Sequence, residues 1–172
     1  MDDVRSVSMD YLFELIEYNL WANRRIMSQA LDLAHEPSLE DVLECGNSIR
    51  AVFLHMLKAD WIWLDLWRGR AIIDYPPEWD TFTLDQMSPV WNQLQVNMLE
   101  QLHTFNSPHR PHDLDFSNGD ERLTILKLER TVMMVVNHDS YYRGEIANLI
   151  DMLGYEPIRT HLFDFYTRRK AS

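Results

Sequence analysis

The stretch ILKLERTVMMVVNHDSYYRGEIANLIDML, residues 125–153, decides the fold. Its apolar residues Ile125, Leu128, Val132, Val135, Val136, Ile146, Leu149, Ile150 and Leu153 recur at three- and four-residue spacings. That is the repeat of one buried face of an α-helix. Gly154 ends the period and Pro157 reinforces the stop, so one long helix is expected from about Ile125 to Leu153.

Three further segments carry the same signature. Leu12, Leu15, Ile16, Leu20, Ile26, Met27, Ala30 and Leu31 form one helical face between Met9 and about Leu33, with Ser8 placed to cap it. Ile49, Val52, Phe53, Met56, Leu57, Ile62, Leu64 and Trp67 form another, capped by Asn47 or Ser48 and followed by Gly69. Val90, Leu94, Met98, Leu99 and Leu102 form a third, which starts at Thr83 or Ser88 and ends near Phe105. If Ser88 is the cap, Pro89 falls in the first turn, where a missing amide proton is tolerated.

Between these helices Pro37 marks a connection, with a short helical turn in SLEDVLEC, residues 38–45. Pro76-Pro77 makes a loop of residues 70–80, because proline lacks the donor a helix needs. Asn118-Gly119 between LDF and RLT signals a tight turn in a small hairpin. The expected architecture is all-α: one domain spanning residues 1–172, a four-helix bundle with long crossover connections.

Composition narrows the function. The formal charge is −11, from 27 acidic against 16 basic residues, a field that repels phosphate backbones and anionic lipid. Arg24-Arg25 and the basic tail at 168–170 are too short to track a nucleic acid, so no nucleic-acid partner is expected. No stretch reaches the roughly 18 apolar residues that span a bilayer. The start, MDDVRSVSMD, lacks the basic and apolar regions of a secretion signal, and a single cysteine, Cys45, suits a reducing compartment. A cytoplasmic protein without membrane contact is expected.

The chemistry concentrates on the last long helix. His138, Tyr141, Tyr142 and Glu145 stand at i, i+3, i+4 and i+7 and so project from one side, beside the apolar run TVMMVV. His55 stands among Phe53, Leu54, Met56 and Leu57 on the second helix. Facing side chains of a bundle core can build a metal site, and a catalytic zinc needs three protein ligands and an open position. Tyr142, Glu145 and Asp60 are the candidates for the third ligand. A lone histidine in an apolar stretch is more often a hydrogen-bonded core residue than a ligand. His35, His103, His109, His112 and His161 lie at helix ends or in loops and are weaker candidates than His55 and His138. Trp61, Trp63 and Trp67 read as core mass and interface, and surplus aromatic surface favours a second copy of the chain.

Four stretches together resemble the DinB-like (damage-inducible) family, which includes bacillithiol transferases and is related to thiol-dependent maleylpyruvate isomerase. They are YNLWANRRI at 18–26, HMLKADWIW at 55–63, NHDSYYRGEI at 137–146, and LGYEP with the trailing LFDFY. The resemblance covers nearly the whole chain and implies a helical bundle, commonly a homodimer. It also implies a stress-response setting and a divalent metal, nickel or zinc, held by one histidine of the second helix and two at i and i+4 of the fourth. His55 and His138 match the first two ligands, and the third position falls on Tyr142. A phenol binds a metal well only after losing a proton with a pKa near 10, so the substitution weakens the site.

Two readings follow. In one, His55, His138 and Tyr142 hold a metal for thiol transfer or hydrolysis on a small molecule or thiol. Glu145 or Asp60 then acts as base or orienter, and Trp21, Asn23, Tyr141 and Arg143 shape the pocket. In the other, the bundle has lost the ion and binds a small molecule or regulates.

Overall fold

The structure, a computed structural model, describes residues 7–36, 48–70, 75–107, 113–117 and 122–169. The turn expected in SLEDVLEC, the Asn47 cap, Cys45, His109, His112 and the Asn118-Gly119 turn lie outside the described residues.

Local signals set most helix ends. α1 spans Met9–Ala34, and the Ser8 hydroxyl accepts the Tyr11 amide at 3.3 Å, satisfying one of the donors a helix start leaves open. α2 spans Ile49–Trp67 behind a Ser48 cap, and its exit turns through Gly69 at φ 73°, a left-handed angle that costs glycine little. α3 spans Leu84–Thr104. Thr83 and Gln86 close a reciprocal capping box, which settles the start in favour of Thr83 over Ser88. Pro89 therefore lies in the second turn, where its ring removes the bond that would reach the Asp85 carbonyl. Within the expected loop at 70–80, a 3₁₀ turn at Pro77–Thr81 buries Trp79.

The expected hairpin is present. β1, Asp113–Ser117, pairs antiparallel with β2, Arg122–Lys127. This pairing corrects the start of the last long helix: α4 spans Leu128–Met152, not Ile125–Leu153. Ile125 pairs with Asp115 in the hairpin and is 44 % exposed rather than part of the core. Met133 and Met134 also face outward, because the helical repeat turns Val132 and Val135 inward and leaves the two methionines between them outside. A short helix, α5 at Leu162–Arg169, follows; the sequence reading did not foresee it.

α1 packs on α4 and α3, while α2 packs on α3 and α4. The successive helices α1 and α2 thus stand diagonally across the bundle, as do α3 and α4, which explains the long connections between them. The core runs through all four, from Leu12 and Ile16 through Phe53, Met56 and Leu57 to Trp91, Val132 and Ile146. Phe165 of α5 packs on Tyr18 and Trp21 of α1. No described helix is long and apolar enough to cross a membrane. For function, the α2/α4 contact carries the histidines and the α1/α4 contact carries what stands behind them.

Candidate functional site

α2 and α4 bring His55 and His138 together: their Nε2 atoms lie 3.1 Å apart. The ring of Tyr142, one turn beyond His138, leans over both imidazoles, with centroids 4.4 Å from His55 and 4.7 Å from His138. The cluster sits at the surface of the bundle. His55 is exposed, and His138 and Tyr142 are half-buried. The polar wall expected on α4 is therefore split: His138 and Tyr142 face His55, Glu145 lies exposed beside them, and Tyr141 is 69 % exposed with its ring edge-on to Tyr142.

Partial desolvation of its ring against α4 lowers the pKa of His55 below its ordinary value, and the neighbouring His138 lowers it further. The negative charge of Glu145 pulls the other way, which places that carboxylate within electrostatic reach of the pair. A neutral His55 at pH 7 leaves one ring nitrogen free to accept or to ligate.

Behind the pair lies a buried polar ladder. The Asp139 carboxylate faces His138 Nδ1 at 3.3 Å through Oδ1 and takes the amide groups of Asn19 and Asn23 at 2.6 and 2.8 Å on Oδ2. Arg143, one turn along α4, donates from Nη1 to the carbonyl oxygens of the same two asparagines, at 2.7 and 2.6 Å. Its Nη2 reaches Ser140 at 2.7 Å and the Tyr18 hydroxyl at 3.3 Å. Asn19, Asn23, Asp139 and Arg143 are all buried, so each bond forms where water does not compete. Asn23 and Arg143 were sequence candidates for shaping the pocket; Asn19 and Asp139 were not.

Asp60 and Trp21 stand apart from the rings. Asp60 is 1 % exposed and accepts the Trp91 indole on Oδ2 at 2.7 Å, while its Oδ1 meets no donor at hydrogen-bonding geometry. Burial pushes its pKa well above the carboxylate range, and the nearby Asp139 adds to the rise. Trp21 packs under Phe165, with the Arg25 guanidinium 5.2 Å from its ring centroid. Two grooves of about 480 and 460 Å³ lie along α1 and share Arg25 and Ser28. Neither touches the histidines, and their mixed-charge or shallow linings give no chemistry to weigh against the paired imidazoles.

The donor set fits a metal in part. Two imidazole nitrogens on one zinc-like ion, with bonds near 2.0–2.1 Å, lie roughly 3.0–3.4 Å apart, a span that includes the observed separation. The third side chain against the two imidazoles is the ring of Tyr142, and among the described residues no three of histidine, cysteine, aspartate and glutamate converge on one point.

The chain matches the model of the DinB family over residues 6–170. It is also similar to Protein DinB of Bacillus subtilis (strain 168), with 25 % identity over 175 residues that span 95 % of this chain and 99 % of that protein.

Proposed function

This chain belongs to the DinB family, and from that premise we propose that it is a divalent-metal-dependent enzyme acting on a small molecule or thiol, with His55 and His138 as the imidazole ligands. The 3.1 Å approach of the two Nε2 atoms carries this reading, because two imidazoles converge there from different helices. Tyr142 occupies the third corner. A nickel or zinc ion there would supply Lewis-acid activation of a bound water or thiol, the chemistry of hydrolysis or thiol transfer. Asp139 orients His138 from behind, as carboxylates commonly orient ligating histidines. Glu145, exposed beside His55, takes up the proton released at the site, while Asp60 supports the scaffold from inside. Tyr141 and the open face around it receive the substrate. A second copy of the chain belongs to the same reading, supported by the exposed Met133, Met134 and Phe163, and sedimentation as a monomer removes it.

The test is metal content. Protein purified from medium containing nickel and zinc is expected to carry close to one ion per chain, and His55→Ala or His138→Ala to carry none. Metal-free protein that rebinds neither ion overturns the reading.

The phenol favours a second reading, in which the bundle has lost its ion and binds a small molecule at the histidine pair. Tyr142→His separates the two. A variant that gains tight zinc binding absent from the parent supports the second reading, and equal binding by both proteins removes it.

A further inference from the structure

We infer that Asn19, Asn23 and Arg143 form a clamp that fixes the Asp139 carboxylate so that it holds the imidazole proton of His138 on Nδ1 and presents the Nε2 lone pair to His55. The inference rests on the preceding reading in taking Nε2 as the working atom of His138.

The ladder has only one sensible polarity. Asn19 and Asn23 stand at i and i+4 on α1, and Asp139 and Arg143 stand at i and i+4 on α4, so the four side chains meet as two rungs. Each asparagine turns its NH₂ to Asp139 and its carbonyl to Arg143. Flipping either amide would set oxygen against carboxylate and NH₂ against guanidinium, two buried repulsions at once. The charged ends of the ladder thus dictate the amide orientations, and the amides hold both NH₂ groups on Asp139 Oδ2. Oδ1 is left to accept from His138 Nδ1. A proton on Nδ1 leaves Nε2 as the acceptor, and without an ion His55 Nε2–H donates into it across 3.1 Å. The order Asp139, His138, His55 is then a directed chain whose polarity originates on α1. Asn19 and Asn23 are positioning residues: they act on the site only through Asp139.

Asp139→Asn reverses the chain with almost no change in shape. The amides of Asn19 and Asn23 can be accepted only by the oxygen of the new side chain, so its NH₂ turns to His138. Nδ1 must then accept, and the proton moves to Nε2. In a hydrolase whose histidine leans on a buried aspartate, the same exchange is known to select the wrong tautomer while keeping the geometry.

The experiment is long-range ¹⁵N–¹H NMR of the histidine side chains in metal-free full-length protein at alkaline pH, paired with zinc titration. The parent is expected to show His138 protonated on Nδ1, and Asp139→Asn to show it protonated on Nε2 with zinc affinity lowered about tenfold to a hundredfold. A purely structural role for Asp139 would lower stability without moving the proton between nitrogens. Nε2–H in the parent, or an unchanged tautomer in the folded variant, overturns the inference. Should the variant fail to fold, the parent spectrum alone decides. A tautomer that switches in a protein binding no zinc upholds the clamp and overturns the metal reading instead.

Discussion

The α1/α4 seam and the α2/α3 seam each bury an aspartate, and they treat it in opposite ways. Asp139 is ringed by donors: two asparagine amides and a histidine ring, with Arg143 closing the ladder one turn away. Asp60 has the Trp91 indole on one oxygen and no donor in good geometry on the other, in a seam where Phe53 and Trp91 pack edge to face at 5.6 Å. At Asp60 burial outweighs the Trp91 and Gln95 side chains beside it, and the nearby Asp139 adds to the rise, so Asp60 holds its proton to a pH well above the ordinary carboxylate value. The first seam holds its carboxylate in a directed hydrogen-bond ladder; the second sets Asp60 among Trp91, Gln95 and apolar side chains, with one carboxyl oxygen left without a donor in good geometry. Only the first can orient a histidine.

The contrast is broken most severely at Arg143. Arg143→Met keeps the volume of the side chain but leaves Asp139 buried with no cation near it and two asparagine carbonyls without their donor. A loss of about 3–5 kcal/mol is expected from denaturant unfolding, the usual cost of removing one partner from a buried ionic network. A loss below about 1 kcal/mol would show that the ladder carries no such charge. Trp91→Phe probes the other seam more gently. It retains a ring against Phe53 and removes the indole N–H that Asp60 accepts, at an expected cost of about 1–3 kcal/mol by the same measurement. If this variant costs as much as Arg143→Met, the two seams are built alike.

What the sequence revealed follows the same division between local and distant causes. Ser8, Ser48 and Thr83 cap their helices by a bond made within three residues, so the start of α1 is readable along the chain and those of α2 and α3 are narrowed to Asn47 or Ser48 and Thr83 or Ser88. The start of α4 is not, because Ile125 is claimed by a strand ten residues earlier, and the apolar period of 125–153 does not register that pairing. The ladder was half visible. Asn19 and Asn23 occupy the face set by Leu12, Ile16, Ile26 and Ala30, and polar residues at core positions of a helix are a signal in themselves. Asp139 lies off the side of α4 that His138, Tyr142 and Glu145 share, so their spacing does not point to it. Its neighbour on that helix, Arg143, lies on the same buried side toward α1. How close His55 comes to His138, 83 residues away, is set by the packing of α2 on α4, which no spacing along the chain encodes.

The smallest effect near pH 4, and the most specific to the contrast, is expected of Asp60→Asn. An asparagine copies a protonated aspartate: its carbonyl can take the Trp91 indole and its NH₂ stands where the acid carries its proton. Near pH 4 the two proteins should differ by less than about 1 kcal/mol, as a near-isosteric exchange of neutral groups. The difference should then change with pH in one direction. In the unfolded chain the Asp60 carboxyl loses its proton near the ordinary value of 3.8, while in the fold burial and the Asp139 charge hold that proton to higher pH. Between the two values the folded state binds more protons than the unfolded one, so the parent loses stability as pH rises, by at most about 1.4 kcal/mol per pH unit. Below the lower value the contribution is complete, and above the upper one nothing more is lost. Asparagine has no proton to lose, so the variant gains on the parent from about pH 4 toward neutrality. Unfolding curves of both proteins over that range decide the matter. A difference that stays flat means that Asp60 ionises in the fold as it does in the open chain, and the α2/α3 seam then holds a charge as the α1/α4 seam does.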